Sequence, residues 1–122
     1  MTIQFLLDKI NEENPNSFTD EKLIEFVNDV EHICGTWLHM ADEDIPVYTE
    51  DDMETELLIP APHDRLYTSY VKAMIDYTNK EYPSYQVNQM QFEQDAANAQ
   101  DWIVRESKAA VRTIPHRFKN IF

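Results

Sequence analysis

Six prolines, at positions 15, 46, 60, 62, 83 and 115, divide this chain into stretches that can be helical and stretches that cannot. A proline inside a helix removes a backbone donor and clashes with the preceding turn, so each one bounds an element. Thr2 can cap a first helix over Ile3–Asn11, where Ile3, Leu6, Leu7 and Ile10 form one apolar stripe, and Asn14-Pro15-Asn16 stops it. A helix under about 12 residues is marginal alone and has to pack on the rest of the domain or on a neighbour. The second helix starts near Phe18–Asp20, with Ser17 or Thr19 as its cap, and runs to about Met40. Its apolar face recurs at 4, 3, 4 and 3 through Leu23, Val27, Val30, Cys34 and Trp37. Gly35 interrupts that face at a propensity cost of roughly 1 kcal/mol and marks either a close crossing or an early end.

A third helix is expected from His63 or Asp64 to about Asn79–Tyr82, with Leu66, Tyr70, Met74 and Tyr77 on one face. The fourth, the longest, starts after a Ser84 cap and reaches about Lys108. It carries two apolar lines, Val87–Met90–Ala97–Val104 and Phe92–Ala96–Ala99–Ile103. Between the second and third helices Pro46 forbids a helix, and Val47-Tyr48-Thr49 and Leu57-Leu58-Ile59 are short β-capable runs. These either pair as a small hairpin around an exposed Glu50–Thr55 loop or extend as two arms that pair with something else. The expected class is all-α: about four helices with a minor two-stranded β element between the second and third. Leu23, Val27, Val30, Trp37, Leu66, Tyr70, Met74, Tyr77 and Trp102 are expected to supply most of the core. Residues 1–110 read as one domain, and 111–122 as a basic, aromatic carboxy-terminal arm.

At 122 residues and 43% hydrophobic content the chain can bury a real core, roughly two-thirds of its unfolded surface. The lone cysteine, Cys34, excludes an intrachain disulfide framework and suits a reducing compartment. No basic, apolar leader opens the sequence and no apolar run approaches the roughly 18 residues of a membrane span, so neither export nor membrane insertion is expected. Charge is divided. Residues 1–104 hold 22 acids against 5 Lys/Arg, whereas residues 105–122 hold 5 Lys/Arg against a single acid. Such a body repels phosphate, and its opposite-sign ends suit head-to-side contacts between copies.

Nothing in the sequence reads as catalytic or metal-binding machinery. The acids between Asp42 and Glu56, eight in fifteen positions, lack the calcium-loop spacing and its glycine, and read as a solvated face. His32, His39, His63 and His116 form no zinc-type cluster. Glu21 and Glu25 lie on the solvent side of their helix, and Cys34 on the apolar stripe is a small core residue. Tyr67, Tyr70 and Tyr77 suit packing better than base stacking among so many acids. In the arm, Arg112, His116, Arg117 and Lys119 alternate with Ile114, Phe118, Ile121 and Phe122, a pattern that favours docking on an acidic protein surface over contact with DNA phosphates.

Taken in order, these residues resemble the head–tail connector, or adaptor, proteins of long-tailed bacteriophages and prophages. The resemblance spans residues 3 to about 104, from Asn14-Pro15-Asn16 and Phe18-Thr19-Asp20 onward. It is sharpest at Glu56-Leu57-Leu58-Ile59-Pro60-Ala61-Pro62, Leu66-Tyr67, Tyr70 and Ile75-Asp76-Tyr77. Asn79-Lys80-Glu81-Tyr82, Tyr85-Gln86-Val87-Asn88, Met90 and Phe92 continue it, while His63 stands where a tyrosine is more usual. The resemblance implies a small helical protein with no enzymatic activity and no cofactor. It would form a ring, usually of twelve copies, beneath the portal in the neck of the virion. There it would extend the DNA channel and present a surface to the next neck or tail-completion protein, with DNA passing through without sequence-specific binding. Arg112, His116, Arg117, Phe118, Lys119 and Phe122 would then be a portal-docking arm, and Glu50, Asp51, Asp52 and Glu54 would line the channel or meet the next ring. The protein would be made in the host cytoplasm and end in the virion. The rival reading is a small acidic phage-encoded binding protein, a DNA mimic or host-enzyme inhibitor, for which the net charge of −13 is suitable.

Overall fold

The computed structural model describes the backbone of residues 1–113 and the side chains of residues 1–107. Its helices are α1 (Ile3–Glu13), α2 (Asp20–Trp37), α3 (Arg65–Thr78) and α4 (Tyr82–Thr113). Two single 3₁₀ turns, Asp42–Asp44 and Glu50–Asp52, lie between α2 and α3.

The caps follow the sequence. Thr2 accepts a hydrogen bond from the Phe5 amide, and Thr19, rather than Ser17, accepts from the Lys22 amide. α2 stops at Trp37, short of the expected Met40, and His39 turns the chain with φ 60°. Gly35 owes its place to a close approach by a side chain, not by a helix. A Cβ there would lie 2.6 Å from Ile45 Cγ1 and 2.8 Å from its Cδ1. α4 begins two residues before the expected Ser84 cap. Pro83 falls in its first turn, where the missing amide would have had no helical partner, and the Tyr85 amide already bonds to the Glu81 carbonyl at 2.9 Å.

The core is built from all four helices and the segment between α2 and α3. Ile3, Leu6, Leu7 and Ile10 of α1 meet Leu23, Val27, Val30 and Cys34 of α2, with Leu66, Tyr67, Val71 and Ile75 of α3 closing over them. α4 doubles back along α3 and adds Ala99 and Ile103. The face of α3 is rotated by about one position from the sequence reading. Tyr67, Val71 and Ile75 are buried, Tyr70 and Met74 only partly so, and Tyr77 is exposed. Trp37 and Trp102 likewise pack at the edge of the core, and His63 stacks flat on Trp102 with centroids 4.7 Å apart.

The expected two-stranded element is absent: among the described residues there is no strand, only one isolated antiparallel bridge between Thr2 and Glu56. The reason is that both β-capable runs spend their backbone groups elsewhere. Asn28 of α2 takes both polar groups of Tyr48, its Oδ1 accepting from the amide at 2.8 Å and its Nδ2 donating to the carbonyl at 3.1 Å. The Leu58 amide donates to Glu31, the Ile59 amide to the Tyr67 hydroxyl, and the Leu57 amide to the Met1 carbonyl. A hairpin would have to break those of these bonds that lie on its inward-facing, alternate residues. The acidic turn between the runs is also tied down, because the Thr55 and Met53 carbonyls accept from the Ile3 and Gln4 amides and so cap α1.

Candidate functional site

Four places concentrate chemistry. The first is internal. Glu31, fully buried on α2, accepts from the Tyr48 hydroxyl at 2.6 Å, the Tyr67 hydroxyl at 2.6 Å and the Leu58 amide at 3.0 Å. Among the described residues no cation pairs with it; a carboxylate can be held in the interior this way when several donors replace its water. Burial, with Cys34 and Glu31 close by, pushes the Tyr67 hydroxyl well above the ordinary tyrosine range, and burial with the Glu31 bond does the same to Tyr48. Burial also pushes the Cys34 thiol up from 9.0 to about 12, with the Glu31 charge adding to the effect. All three groups stay protonated at neutral pH, so this knot is a fastener and not a nucleophile or base. The sequence reading passed over Glu31. Its signal was present, since Glu31 sits four after Val27 and three before Cys34, inside the apolar arc.

The second place is an acidic cleft of about 530 Å³ between α2 and the Glu50–Asp52 turn, where Glu21, Glu25, Glu50 and Asp51 surround Ile24 and Tyr48. Here the structure assembles Glu50 and Asp51 from the expected channel loop with the two α2 acids that the sequence placed on a solvent face. Glu54 is exposed and farther along the chain. Asp52 is employed internally, accepting from the Thr49 amide at 2.8 Å in a capping box.

The third place is of opposite sign. Lys9, Arg65 and Lys72, three of the five Lys/Arg between residues 1 and 104, line one cleft of about 360 Å³ between α1, α3 and α4. Lys72 pairs with Glu13 at 3.2 Å, while Lys9 and Arg65 have no ion-pair partner among the described residues. Ser69 and Asp95 at its wall satisfy each other at 2.9 Å, and Gln91 adds a bond to Asp95 at 3.0 Å. Thr68, only 8% exposed, lines the same cleft with its hydroxyl unpartnered. This convergence has no local signature, because the three cations lie on two helices that only the fold brings together.

The fourth is the outer face of α4. Of the two apolar lines seen in its sequence, Ala96, Ala99 and Ile103 face the core with Phe92 partly buried. The other line is bare: Val87 is 67% exposed, Met90 70% and Val104 41%. Tyr77 and Tyr82 are also exposed, at the α3–α4 turn, with their rings 6.2 Å apart.

Of the expected docking arm, Arg112 lies on the α4 backbone with its side chain outside the described residues, and His116, Arg117, Phe118, Lys119 and Phe122 lie wholly outside them. α4 continues through Thr113, past the 110/111 position where the sequence suggests a domain end. Among the described residues no group of three or more His, Cys, Asp or Glu could hold a metal ion, and no helix is long and apolar enough to cross a membrane. Comparison with protein-family models, curated proteins and solved structures returns no match for this chain.

Proposed function

We propose that this chain is a structural subunit of a bacteriophage neck, assembling with copies of itself into a ring that joins the portal to the tail-side neck proteins and extends the DNA channel. The observation that carries the reading is the bare outer line of α4. Valine and methionine at 67% and 70% exposure form an apolar surface that suits a partner better than water. α4 is 32 residues long, about 48 Å, and so offers such a surface over several turns. The resemblance of residues 56–92 to head–tail connectors supports placing that partner in the neck. In this reading the Arg112–Phe122 arm grips the portal.

The test is the solution mass across a concentration series, alone and with the cognate portal. A species of about 173 kDa, twelve copies of 14.4 kDa, is expected either alone or on the portal ring. A monomer indifferent to the portal would overturn the reading in favour of an acidic inhibitor.

A further inference from the structure

Counted over residues 1–104, acids outnumber Lys/Arg by 22 to 5, yet three of those five cations line a single cleft. Cations scattered at random on so acidic a body would neutralise local acids one by one. Lys22 does so with Glu25 at 3.1 Å and Lys72 with Glu13 at 3.2 Å, but Lys9 and Arg65 have no ion-pair partner among the described residues, and the one carboxylate that lines their cleft, Asp95, is bonded to Ser69 and Gln91. Arg65 also stands at the first position of α3, where the helix dipole disfavours a cation, so helix stability does not explain it. The Thr68 hydroxyl in the same wall is buried without a partner, an arrangement that costs stability unless something else supplies an acceptor. A guest carrying carboxylates would pair with Lys9 and Arg65 at the mouth of this cleft.

We propose that this cleft receives the acidic face of a second copy of this chain, the Glu21–Glu25–Glu50–Asp51 surface between α2 and the 3₁₀ turn. Charge complementarity selects this occupant: that face gathers four carboxylates around a cleft of about 530 Å³, and while Lys22 holds Glu25 at 3.1 Å, Glu21, Glu50 and Asp51 have no ion-pair partner among the described residues. Two unlike surfaces on one chain make a heterologous contact, the kind that repeats head to tail and closes into rings. The proposal rests on the ring reading and gives it a polarity. The acidic cleft of each subunit faces the cationic cleft of the next.

Charge exchange tests it. In one variant Lys9→Glu and Arg65→Glu make the receiving cleft acidic; in the other Glu50→Lys and Asp51→Lys make the donor face basic. Sedimentation at low salt, alone and on the portal ring, is expected to show each variant failing to assemble where the wild type does, with the dissociation constant raised at least about tenfold. An equal mixture should assemble again, since both kinds of junction are then of opposite sign. Variants that assemble as well as the wild type, or a mixture that does not recover, would overturn the contact and leave the ring reading standing. A wild type that stays monomeric with and without the portal would overturn both. Far-UV circular dichroism checks the fold. If charge reversal costs helix, the neutral pair Lys9→Gln and Arg65→Gln replaces it, with weakened and less salt-sensitive assembly as the expected result and unchanged assembly as the refuting one.

Discussion

Glu31 is the residue on which the interior turns. It binds two hydroxyls and an amide from three different parts of the chain, so a leucine of similar size would leave all three donors buried and unmet. At about 1–3 kcal/mol for each orphaned group, Glu31→Leu should lose at least about 3 kcal/mol in urea unfolding, and Glu31→Gln, which keeps one acceptor oxygen, should lose less. The neighbouring thiol gives a pH signature. Cys34 keeps its proton to about 12 in the folded chain against 9.0 ordinarily, so its contribution is full below pH 9.0 and is lost as pH rises toward 12. Tyr48 and Tyr67 act in the same direction. Urea midpoints should therefore fall steadily above pH 9.0, and thiol reagents should label Cys34 only as the protein unfolds. Gly35→Ala makes a sharper case. It should destabilise despite better helix propensity, and trimming Ile45 to alanine in the same chain should recover part of the loss, because the added Cβ would sit 2.6 Å from Ile45 Cγ1.

The helices were readable because their signals are local: a threonine cap, a stripe at 3–4 spacing, a proline at each break. α1 starts at the expected Ile3 and runs two residues past the expected Asn11, and α2 ends within a turn of its expected end. What failed were features set by distant partners. Val47–Thr49 and Leu57–Ile59 have β composition, but composition is silent about Asn28 and Glu31 offering better-placed hydrogen bonds from a helix face. The two lines of α4 were both visible, yet only packing against α3 decides which is buried. Tyr77 was expected inside on periodicity alone, while the α3 face turned toward Tyr67 and left Tyr77 in water. Asn28→Ala should release the first extended run: amide exchange is expected to quicken at Tyr48 and its neighbours while α1 and α3 keep their protection, as hydrogen–deuterium exchange would show.

Taken together, the surface has a sign pattern that neither composition nor any single element displays. The net charge of −13 suggests uniform repulsion between copies. The fold instead leaves Lys9 and Arg65 without ion-pair partners on the α1–α3–α4 side and Glu21, Glu50 and Asp51 without them on the α2 side, among the described residues, so two copies can attract in one relative orientation and repel in most others. Any self-assembly should accordingly weaken as salt rises from about 50 to 500 mM, whereas contacts made by Val87 and Met90 should hold or strengthen over the same range. Sedimentation at fixed protein concentration across that range separates the two contributions. One further consequence concerns synthesis. α1 is too short to persist alone, and its first amides are met by Met53 and Thr55, which the ribosome adds only after α2 is complete. Its emergence from the exit tunnel cannot fix its shape. The nascent helix has to wait, unfastened, for the acidic turn to arrive and close over it.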